Sequence, residues 1–459
     1  MTGTGSAPFP TGFLWGVSSA SYQVEGAVAE DGRGESIWDR FCATPGKVRN
    51  GESGAVACDF YHRYGEDIEL MKDLGVDAFR FSISWPRVLP SGRGHLNARG
   101  FDFYDRLVDG LLDAGIKPFA VLYHWDLPQA LEDQGGWPQR ATVEAFAEYT
   151  RVVAEHLGDR VSNWITHVEP WVVSWLGYGW GEHAPGRCSQ GDALTAAHHL
   201  LVSHGRAVEV LREVVPEAQV GITLNLDHPW PANDTDADRS AAHWLDGHHN
   251  RWFLSPLFHG AYPQDMVDEW QDIMPPIEDG DMATIAVPID FLGVNYYTSS
   301  LVAAGLDGER ARQVPQGGIA RTDMDWEIRP DGLREVLLRV ARDYAPRMIY
   351  ITENGAAFPD VLDHGGRVLD VERRDFLAAH VAAAAQAVQA GVPLRGYFVW
   401  ALLDNFEWSW GYWRRFGIVH VDYPTQKRTP KASFYWYRDL IATEHDVELT
   451  DQSSAPPGP

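Results

Sequence analysis

The sequence predicts an α/β protein in which eight parallel strands, each followed by a helical segment, close into one (β/α)8 barrel. Two observations carry this prediction: short apolar runs of strand length recur eight times, and amphipathic stretches of helical period separate them. A third observation is that each run ends in a cluster of polar or aromatic residues. Because the strand ends of such a barrel share one mouth, these clusters are expected to meet there.

The eight runs are rich in β-branched and aromatic residues, as buried strands are. In chain order they are GFLWGVSSASYQVEG, AFRFSISWPRVLP, KPFAVLYHWDLP, NWITHVEP, QVGITLNLDHPWP, DFLGVNYYT, MIYITENG and LRGYFVWALLDNFEW. Helices are predicted between them, for example over YHRYGEDIELMKDLG and GFDFYDRLVDGLLDAG, where apolar residues repeat at intervals of three and four. Both stretches end in glycine, which is typical of a helix C-terminus.

The domain organisation is predicted to be simple. Residues 1–445 are expected to form the barrel, and residues 446–459 a disordered tail, because TDQSSAPPGP cannot contribute to a packed core. The stretches 181–192 and 306–323 are predicted to be long loops over the mouth. No second domain and no linker is predicted.

Composition disfavours several classes of function. The 64 acidic and 38 basic residues give a net charge of −26 at pH 7, which repels nucleic acid and anionic membranes. The N-terminus MTGTGSAPFP lacks the basic and apolar regions of a signal peptide, and no run approaches the roughly 18 apolar residues of a membrane helix. Three scattered cysteines favour a reducing compartment. We therefore expect a cytoplasmic protein with a small-molecule partner; the oligomeric state stays open.

Two glutamates, Glu169 and Glu353, each follow an apolar run of strand length. Two carboxyl groups that face one cavity are the minimum equipment for cleaving a glycosidic bond, one as a proton donor and one as an ionised group. Glu169 leads into the apolar and aromatic PWVVSW, which would keep a carboxyl protonated and fits the acid/base. Glu353 precedes the polar turn of Asn354 and Gly355, which fits the nucleophile. Alternatively, each glutamate could simply pair with an arginine.

Nine pieces of the chain, in order, resemble glycoside hydrolase family 1, the retaining β-glucosidase family. They are FLWGVSSASYQVEGA, FRFSISWPRVLP, YHWDLPQAL, EPW, GYGWGEHAPG, NRWFLSPLFHGAYPQDM, FLGVNYYT, ITENG and DNFEWSWGYWRRFGIVHVDY. The resemblance covers roughly residues 8 to 440. It implies a TIM barrel, Glu169 as acid/base, Glu353 as nucleophile, and a separation of roughly 5–5.5 Å between the two carboxyl groups. It also implies that the substrate is a small-molecule β-glycoside or an oligosaccharide.

The resemblance also implies which side chains bind substrate. The pocket for the terminal sugar would consist of Gln23, His124, Trp125, Glu169, Asn295, Tyr297, Glu353, Trp400, Glu407 and Trp408. Gln23 and Glu407 could each bond two sugar hydroxyls, with Glu407 as a carboxylate acceptor, and Tyr297 would donate to the nucleophile. On the outer side, Trp326 is expected with Trp171, Trp175, Tyr178 and Trp180, although some of these rings could merely pack against loops.

Val168 departs from the pattern of the family. The fourth strand of the family reads Asn-Glu-Pro, and the asparagine bonds the 2-hydroxyl of the sugar; this chain has Val168 at that position. Three interpretations are open: a preference for sugars altered at carbon 2, such as 2-deoxy glycosides; an ordinary β-glucosidase with a reduced rate; or an altered copy. Contacts to the 2-hydroxyl strengthen in the transition state, so the change bears directly on rate.

Two other classes of function remain as alternatives. A sugar-binding protein on the same barrel would need no proton donor, so the presence of both glutamates favours an enzyme. A metal enzyme is suggested by AAHHLLVSHG and GHHNRWF, but His199 and His204 are five residues apart, which does not match the i,i+4 spacing of a helical ligand pair. We therefore expect neither a metal nor another cofactor.

Overall fold

The structure, a computed structural model, describes the backbone of residues 8–454 and the side chains of residues 8–446. The strands are β1 (Leu14–Ser18), β2 (Ala78–Ser82), β3 (Lys117–Tyr123), β4 (Asn163–Val168), β5 (Gln219–Asn225), β6 (Trp230–Pro231), β7 (Phe291–Asn295), β8 (Leu301–Ala304), β9 (Ala311–Val314), β10 (Ile349–Asn354), β11 (Leu394–Trp400), β12 (Val419–Asp422) and β13 (Lys427–Pro430).

Eight of these strands form a closed barrel in the order β1-β2-β3-β4-β5-β7-β10-β11, which is also their order along the chain. Every neighbouring pair is parallel, and β11 closes the barrel by pairing with β1 from Leu14↔Gly396 to Ser18↔Trp400. Each barrel strand lies within one of the eight predicted apolar runs. The predicted (β/α)8 TIM barrel is therefore confirmed.

Helices connect the barrel strands and cover them from outside. They are α1 (Ser21–Val24), α2 (Ile37–Ala43), α3 (Phe60–Leu74), α4 (Trp85–Val88), α5 (Ala98–Asp113), α6 (Gln129–Glu132), α7 (Arg140–Leu157), α8 (Gln190–Val214), α9 (Asp236–Asp246), α10 (Trp252–His259), α11 (Gln264–Glu269), α12 (Asp281–Ile285), α13 (Pro330–Asp343), α14 (Val371–Gln389) and α15 (Ala432–Ser454). Short 3-10 helices span Arg49–Gly51 and Trp408–Trp410, and π-helical turns span Val172–Gly179 and Gly247–Arg251.

The interior of the barrel changes from apolar to polar along its axis. Eight buried side chains from the barrel strands form one apolar cluster: Ala78, Phe119, Val121, Ile165, Val168, Phe291, Tyr350 and Phe398. Towards the carboxyl ends of the strands the groups become polar, since Thr223 bonds Thr352 at 3.2 Å and Arg80 reaches Glu353 at 2.6 Å. Buried polar groups need partners, and here they have them. This end of the barrel can therefore accommodate buried charge.

The two strands that lead to the predicted acids are both irregular near their ends. The pairing of β4 with β5 shifts between Ile165 and Val168, and both side chains contribute to the interior cluster although they are three residues apart. On β10 the pairing with β7 shifts before Glu353, and the consecutive Thr352 and Glu353 both contact interior groups. A β-bulge reverses the alternation of side chains, so the bulge on β4 turns Val168 into the interior and the bulge on β10 turns Glu353 towards the mouth.

Two sequence predictions differ from the structure. Within the predicted loop 306–323, β9 pairs antiparallel with β8, so this segment belongs partly to a three-stranded sheet of β6, β8 and β9. The boundary predicted at residue 446 falls inside α15, which continues to Ser454. Residues 455–459 of the predicted tail lie outside the described residues. Among the described residues, no helix is both long and apolar enough to cross a membrane.

Candidate active site

Glu353 lies at the end of β10 and accepts hydrogen bonds from two buried donors. Arg80 Nη1 donates to Oε1 at 2.6 Å, and the Tyr297 hydroxyl donates to Oε2 at 2.5 Å. Burial raises the pKa of Glu353, while Arg80 and Tyr297 oppose that rise because they stabilise the ionised form. The hydrogen bond expected from Tyr297 is present. The carboxylate charge of Glu353 thus has a cation and a hydroxyl beside it.

Glu169 follows β4 and interacts with a neutral amide instead. Asn295 Nδ2 donates to Oε1 of Glu169 at 2.6 Å, and Asn295 Oδ1 accepts from Thr352 Oγ1 at 2.8 Å, which fixes the orientation of the amide. A hydrogen bond from Asn295 also lowers the pKa of Glu353. One amide on β7 therefore lies between the two carboxyl groups and places both in one hollow.

Burial and the charge of Glu353 set the protonation of the other carboxyl groups in this hollow. Burial first, and then the charge of Glu353, raise the pKa of Glu169 to about 8. The same two causes raise the pKa of Glu407 to about 8, against a hydrogen bond from Gln23. These shifts favour the protonated form of Glu169 and Glu407 at pH 7, whereas Arg80 and Tyr297 favour the ionised form of Glu353. A protonated Glu407 donates as well as accepts, whereas the sequence analysis treated it as an acceptor.

Four rings form the wall of the hollow: His124, Trp125, Trp400 and Trp408. The Trp125 and Trp408 rings are 4.5 Å apart, and the His124 ring lies 5.9 Å from both Trp400 and Trp408. Trp125, Trp408 and the neighbouring Glu169 all have left-handed backbones, with φ of 78°, 47° and 54°. Such conformations are strained for residues with a Cβ and persist where the surrounding packing holds them, often at functional sites.

Gln23, from the N-terminal part of the chain, is buried beside Glu407, from the C-terminal part. Its Nε2 lies 3.1 Å from Asn405 Oδ1, 2.9 Å from the Phe406 carbonyl oxygen and 3.3 Å from Glu407 Oε2. Its Oε1 accepts from no group among the described residues. Gln23 therefore has an acceptor free for a ligand. The structure brings together all ten residues predicted for the pocket, at the carboxyl ends of several barrel strands.

Comparison with known proteins places nearly the whole chain in one family. The family model described as glycosyl hydrolase family 1 matches residues 5–446. The chain belongs to glycosyl hydrolase family 1. It is 50% identical to β-glucosidase A of Thermotoga maritima over 94% of this chain and 97% of that protein. It is 43% identical to a bifunctional β-D-glucosidase/β-D-fucosidase of Bifidobacterium breve over 95% of this chain and 98% of that one.

Solved structures of family 1 proteins agree with this assignment. The family 1 β-glucosidase of Thermotoga maritima superposes with a TM-score of 0.94 at 49% identity, over 96% of this chain and 99% of that chain. A structure of the T. maritima enzyme in complex with noeuromycin gives a TM-score of 0.92 over 95% and 99% of the two chains. The resemblance inferred from nine sequence pieces is confirmed. Family membership makes the chain a glycoside hydrolase.

Val168, the departure from the family pattern, lies beneath the hollow. Its side chain is fully buried in the interior cluster with Phe119 and Val121, and its carbonyl oxygen accepts from Trp125 Nε1 at 2.8 Å. The valine therefore supports the tryptophan through its backbone and offers no polar side chain. Nearby, the buried Nε and Nη2 of Arg80 and Nδ1 of His124 donate to no protein group among the described residues.

We predict that Val168→Asn raises turnover of aryl β-glucosides by about fivefold or more relative to turnover of 2-deoxy-β-glucosides. The new amide would gain a transition-state bond with the 2-hydroxyl, which the 2-deoxy sugar lacks. Because the amide enters an apolar cluster, the free energy of unfolding should fall by about 1–3 kcal/mol. Val121→Asn, in the same cluster, controls for that loss of stability. An equal change in kcat/KM on both substrates would remove the carbon-2 explanation.

The outer aromatic residues fall into two groups. Trp326 is half-buried and packs against Tyr297 at 5.5 Å, while Trp180 exposes 43% of its surface and lies 5.5 Å from the half-buried Trp171. In contrast, Trp175 and Tyr178 are buried, and the Tyr178 hydroxyl donates to Glu132 at 2.6 Å. These two rings pack the loop after β4, which is the alternative that the sequence left open for the outer aromatic residues.

The histidines singled out in the sequence have other partners. His199 Nδ1 bonds the Trp137 carbonyl at 2.8 Å, His204 Nδ1 bonds Thr166 at 2.7 Å, and His198 Nε2 bonds Asp281 at 2.9 Å. Burial lowers the pKa of all three. Within the described residues, no three His, Cys, Asp or Glu side chains are grouped to hold a metal ion.

Sequence analysis missed Arg80, which holds the charge of Glu353. The signal was present: an arginine in the middle of the apolar strand AFRFS must find a partner inside the barrel. It also missed Asn405, which orients Gln23, and Thr352, which orients Asn295. These two neutral residues stand beside the predicted ones and carry no pattern that distinguishes them.

Proposed function

We propose that this protein is a retaining β-glucosidase in which Glu353 is the nucleophile and Glu169 the acid/base. One observation carries the proposal: the cation in the hollow, Arg80, contacts Glu353, whereas Glu169 contacts a neutral amide. The environment thus separates the two carboxyl groups into an ionised one and a protonated one, as glycosidic cleavage requires. Relatives named β-glucosidase, at up to 50% identity among those compared, support the choice of substrate.

The two carboxyl groups would act in two steps. In the first, an oxygen of Glu353 forms a bond with the anomeric carbon while the bond to the leaving oxygen breaks, and Glu169 gives its proton to that oxygen. In the second, the ionised Glu169 takes a proton from water, the water oxygen bonds the anomeric carbon, and Glu353 leaves as a carboxylate. Arg80 and Tyr297 stabilise the carboxylate before and after the covalent intermediate.

The surrounding groups would select a terminal sugar. Gln23 and Glu407 offer an acceptor and a carboxyl group to adjacent hydroxyls, and the rings of Trp400 and Trp408 offer flat apolar faces to the CH groups of the sugar. Such a pocket fits the non-reducing end of a small β-glycoside. A cytoplasmic location remains a prediction from composition.

The protonation states of Glu169 and Glu353 predict how kcat/KM depends on pH. Glu169 acts as a protonated acid, so kcat/KM should fall as pH rises through about 8, the pKa that burial and Glu353 give it. Glu353 acts ionised, so kcat/KM should fall as pH drops through its pKa, which burial raises above the ordinary 4.5. A series of aryl β-glucoside assays between about pH 4 and pH 10 measures both limbs. A rate that stays constant well above pH 9 would contradict this assignment of Glu169.

A panel of aryl β-glycosides that differ only at carbons 2, 4 and 6 tests the function. We expect turnover of the glucoside, and the carbon-6 member is informative because one relative is named a β-glucosidase/β-fucosidase. Faster turnover of the 2-deoxy glycoside than of the glucoside would favour a sugar altered at carbon 2, the interpretation that Val168 motivates. Failure on every member would favour a barrel that only binds sugars.

A further inference from the structure

Six charged side chains form a buried cluster between the loop after β10 and the loop after β11. Three are cations and three are carboxylates: Arg373, Arg415, Lys431, Asp360, Asp370 and Asp404. Arg415 exposes 21% of its side chain, and each of the others exposes 1% or less. Removing charges from water costs free energy that pairing often only offsets, so such a cluster adds little to stability. The steps assigned to Glu353 and Glu169 use none of these groups.

Lys431 is the side chain that both loops share. It lies just before α15, and its Nζ donates to Asp404 Oδ1 at 2.6 Å, to the Gly417 carbonyl oxygen at 2.6 Å and to Asp360 Oδ2. Asp404 and Gly417 belong to the loop after β11, whereas Asp360 belongs to the loop after β10. The three N–H groups of the buried ammonium thus have three acceptors. Lys431 therefore fixes the two loops relative to each other.

The loop after β11 carries this fixed position to the groups that bind sugar hydroxyls. Asp404 also accepts from Arg415 Nη1 at 2.6 Å and from the backbone nitrogen of Gly417 at 3.1 Å. The next three residues, 405–407, all accept from Gln23 Nε2, at distances of 2.9 to 3.3 Å. A shift of Asp404 would therefore move both sugar-binding groups, the Gln23 amide and the carboxyl group at residue 407.

The loop after β10 connects the same cluster to the nucleophile. Arg373, on α14, donates to both carboxylate oxygens of Asp360 at 3.0 Å. Its Nε donates at 3.1 Å to the carbonyl oxygen of Ala356, three residues after Glu353. Its Nη2 donates at 2.7 Å to the carbonyl oxygen of Arg415, in the loop after β11. A second cation thus bridges the two loops, on the side that leads to Glu353.

We propose that Lys431 is a positioning residue for the reaction, which holds Gln23 and Glu407 in register with the nucleophile Glu353. Bonds to the sugar hydroxyls accelerate cleavage only when they place the anomeric carbon at bonding distance from the nucleophile, and a misplacement of about 1 Å can cost about 100-fold in rate. This inference rests on the proposed function and adds to it the side chain that aligns the sugar-binding groups with the reacting carboxylate.

The charge-balanced double variant Lys431→Met/Asp360→Asn tests this role. It removes one cation and one carboxylate, so the cluster keeps two complete ion pairs: Asp404 with Arg415, and Asp370 with Arg373. We expect kcat/KM on nitrophenyl β-glucoside to fall about 10- to 100-fold, because the sugar is no longer held in register with Glu353. Circular dichroism and thermal melting establish that the measured protein is folded.

Arg212→Met/Asp290→Asn is the matched control. Arg212 Nη2 donates to Asp290 Oδ2 at 2.5 Å, and Asp290 lies directly before β7, at the opposite end of the barrel from the site. The same chemical change there should leave kcat/KM within about threefold of the wild type. A loss in the Lys431 variant that is no larger than in this control would overturn the proposal. Failure of the wild-type protein on every aryl β-glycoside would instead overturn the proposed function.

A double-mutant cycle with Glu407→Ala separates positioning from general destabilisation. If Lys431 acts by aligning Glu407, its replacement should matter less once that carboxyl group is gone, and we expect the loss in kcat/KM to shrink by about threefold or more. An equal loss in both backgrounds would overturn the proposal. Asp360→Asn alone serves if the double variant does not fold, because it leaves Lys431 paired with Asp404. It should lower kcat/KM by about three- to tenfold, with the same dependence on Glu407, and an unchanged kcat/KM would contradict the proposal.

Discussion

Replacing Glu353 by glutamine is expected to lower kcat on aryl β-glucosides by about 10⁴-fold or more, because the amide cannot replace the carboxylate as the nucleophile that forms the covalent intermediate. The amide has nearly the shape of the carboxyl group, so the hollow should keep its form. It also leaves Arg80, now without its carboxylate, as a buried unpaired charge, and the free energy of unfolding should fall as well. Activity therefore has to be compared on folded protein, which circular dichroism and thermal melting measure.

Glu25→Gln is the matched control for this experiment. Glu25 is buried and accepts from Arg87 Nε at 2.8 Å and from the Tyr104 hydroxyl at 2.6 Å, much as Glu353 accepts from an arginine and a tyrosine. The same chemical change there should cost stability and leave kcat within about tenfold of the wild type. If Glu25→Gln lowers kcat as much as Glu353→Gln does, the loss reflects disturbed packing and not a missing nucleophile.

Replacing Glu169 by glutamine is expected to slow hydrolysis by an amount that depends on the leaving group. Departure of a sugar alkoxide needs a proton, so kcat/KM on cellobiose should fall by about 10²–10⁴-fold. A dinitrophenolate leaves without protonation, so kcat/KM on dinitrophenyl β-glucoside should fall by less than about tenfold. The basic limb of the pH profile should also disappear, since the group whose pKa is raised to about 8 is gone.

The comparison between leaving groups identifies the role of Glu169 better than the size of either loss. A residue that only positions the substrate would slow both substrates by the same factor. Equal losses on cellobiose and on the dinitrophenyl glucoside would therefore contradict the assignment of Glu169 as the acid. Asn295→Ala offers a further comparison, because it removes the amide that holds Glu169 and leaves the carboxyl group in place.

The barrel could be predicted from the sequence because its strands are short apolar runs separated by helices of clear period. The same regularity explains what was missed. A β-bulge such as the one between Ile165 and Val168 adds one residue to a strand, and nothing in NWITHV marks it, yet it decides that Val168 points into the barrel. β9 lies within a polar stretch whose strand character comes from pairing with β8, a contact that local sequence does not encode.

Site residues with distinctive reactive side chains could be predicted from the sequence. Features that depend on the three-dimensional arrangement, such as the burial of a ring or the partner of a charge, could not. Glu169, Glu353 and Tyr297 are distinctive side chains at strand ends, and the structure brings them to one hollow. The local sequence does not show in the same way whether an aromatic ring is buried or exposed. Trp175 and Tyr178 follow the acid on a π-helical turn that directs both rings into the protein, while Trp180 on the same segment reaches the surface. The ionic partner of Glu353 could not be predicted from the local sequence either, because Arg80 lies 273 residues away along the chain.

The central claim is that Glu353 attacks the anomeric carbon while Glu169 serves as the acid and base. Rapid-quench mass spectrometry of Glu169→Gln during turnover of dinitrophenyl β-glucoside tests it directly, because this variant should form the glycosyl-enzyme quickly and release it slowly. We predict one glucosyl unit attached to the peptide that contains Glu353. No adduct on a variant that still releases dinitrophenol, or an adduct on any other residue, would contradict this account.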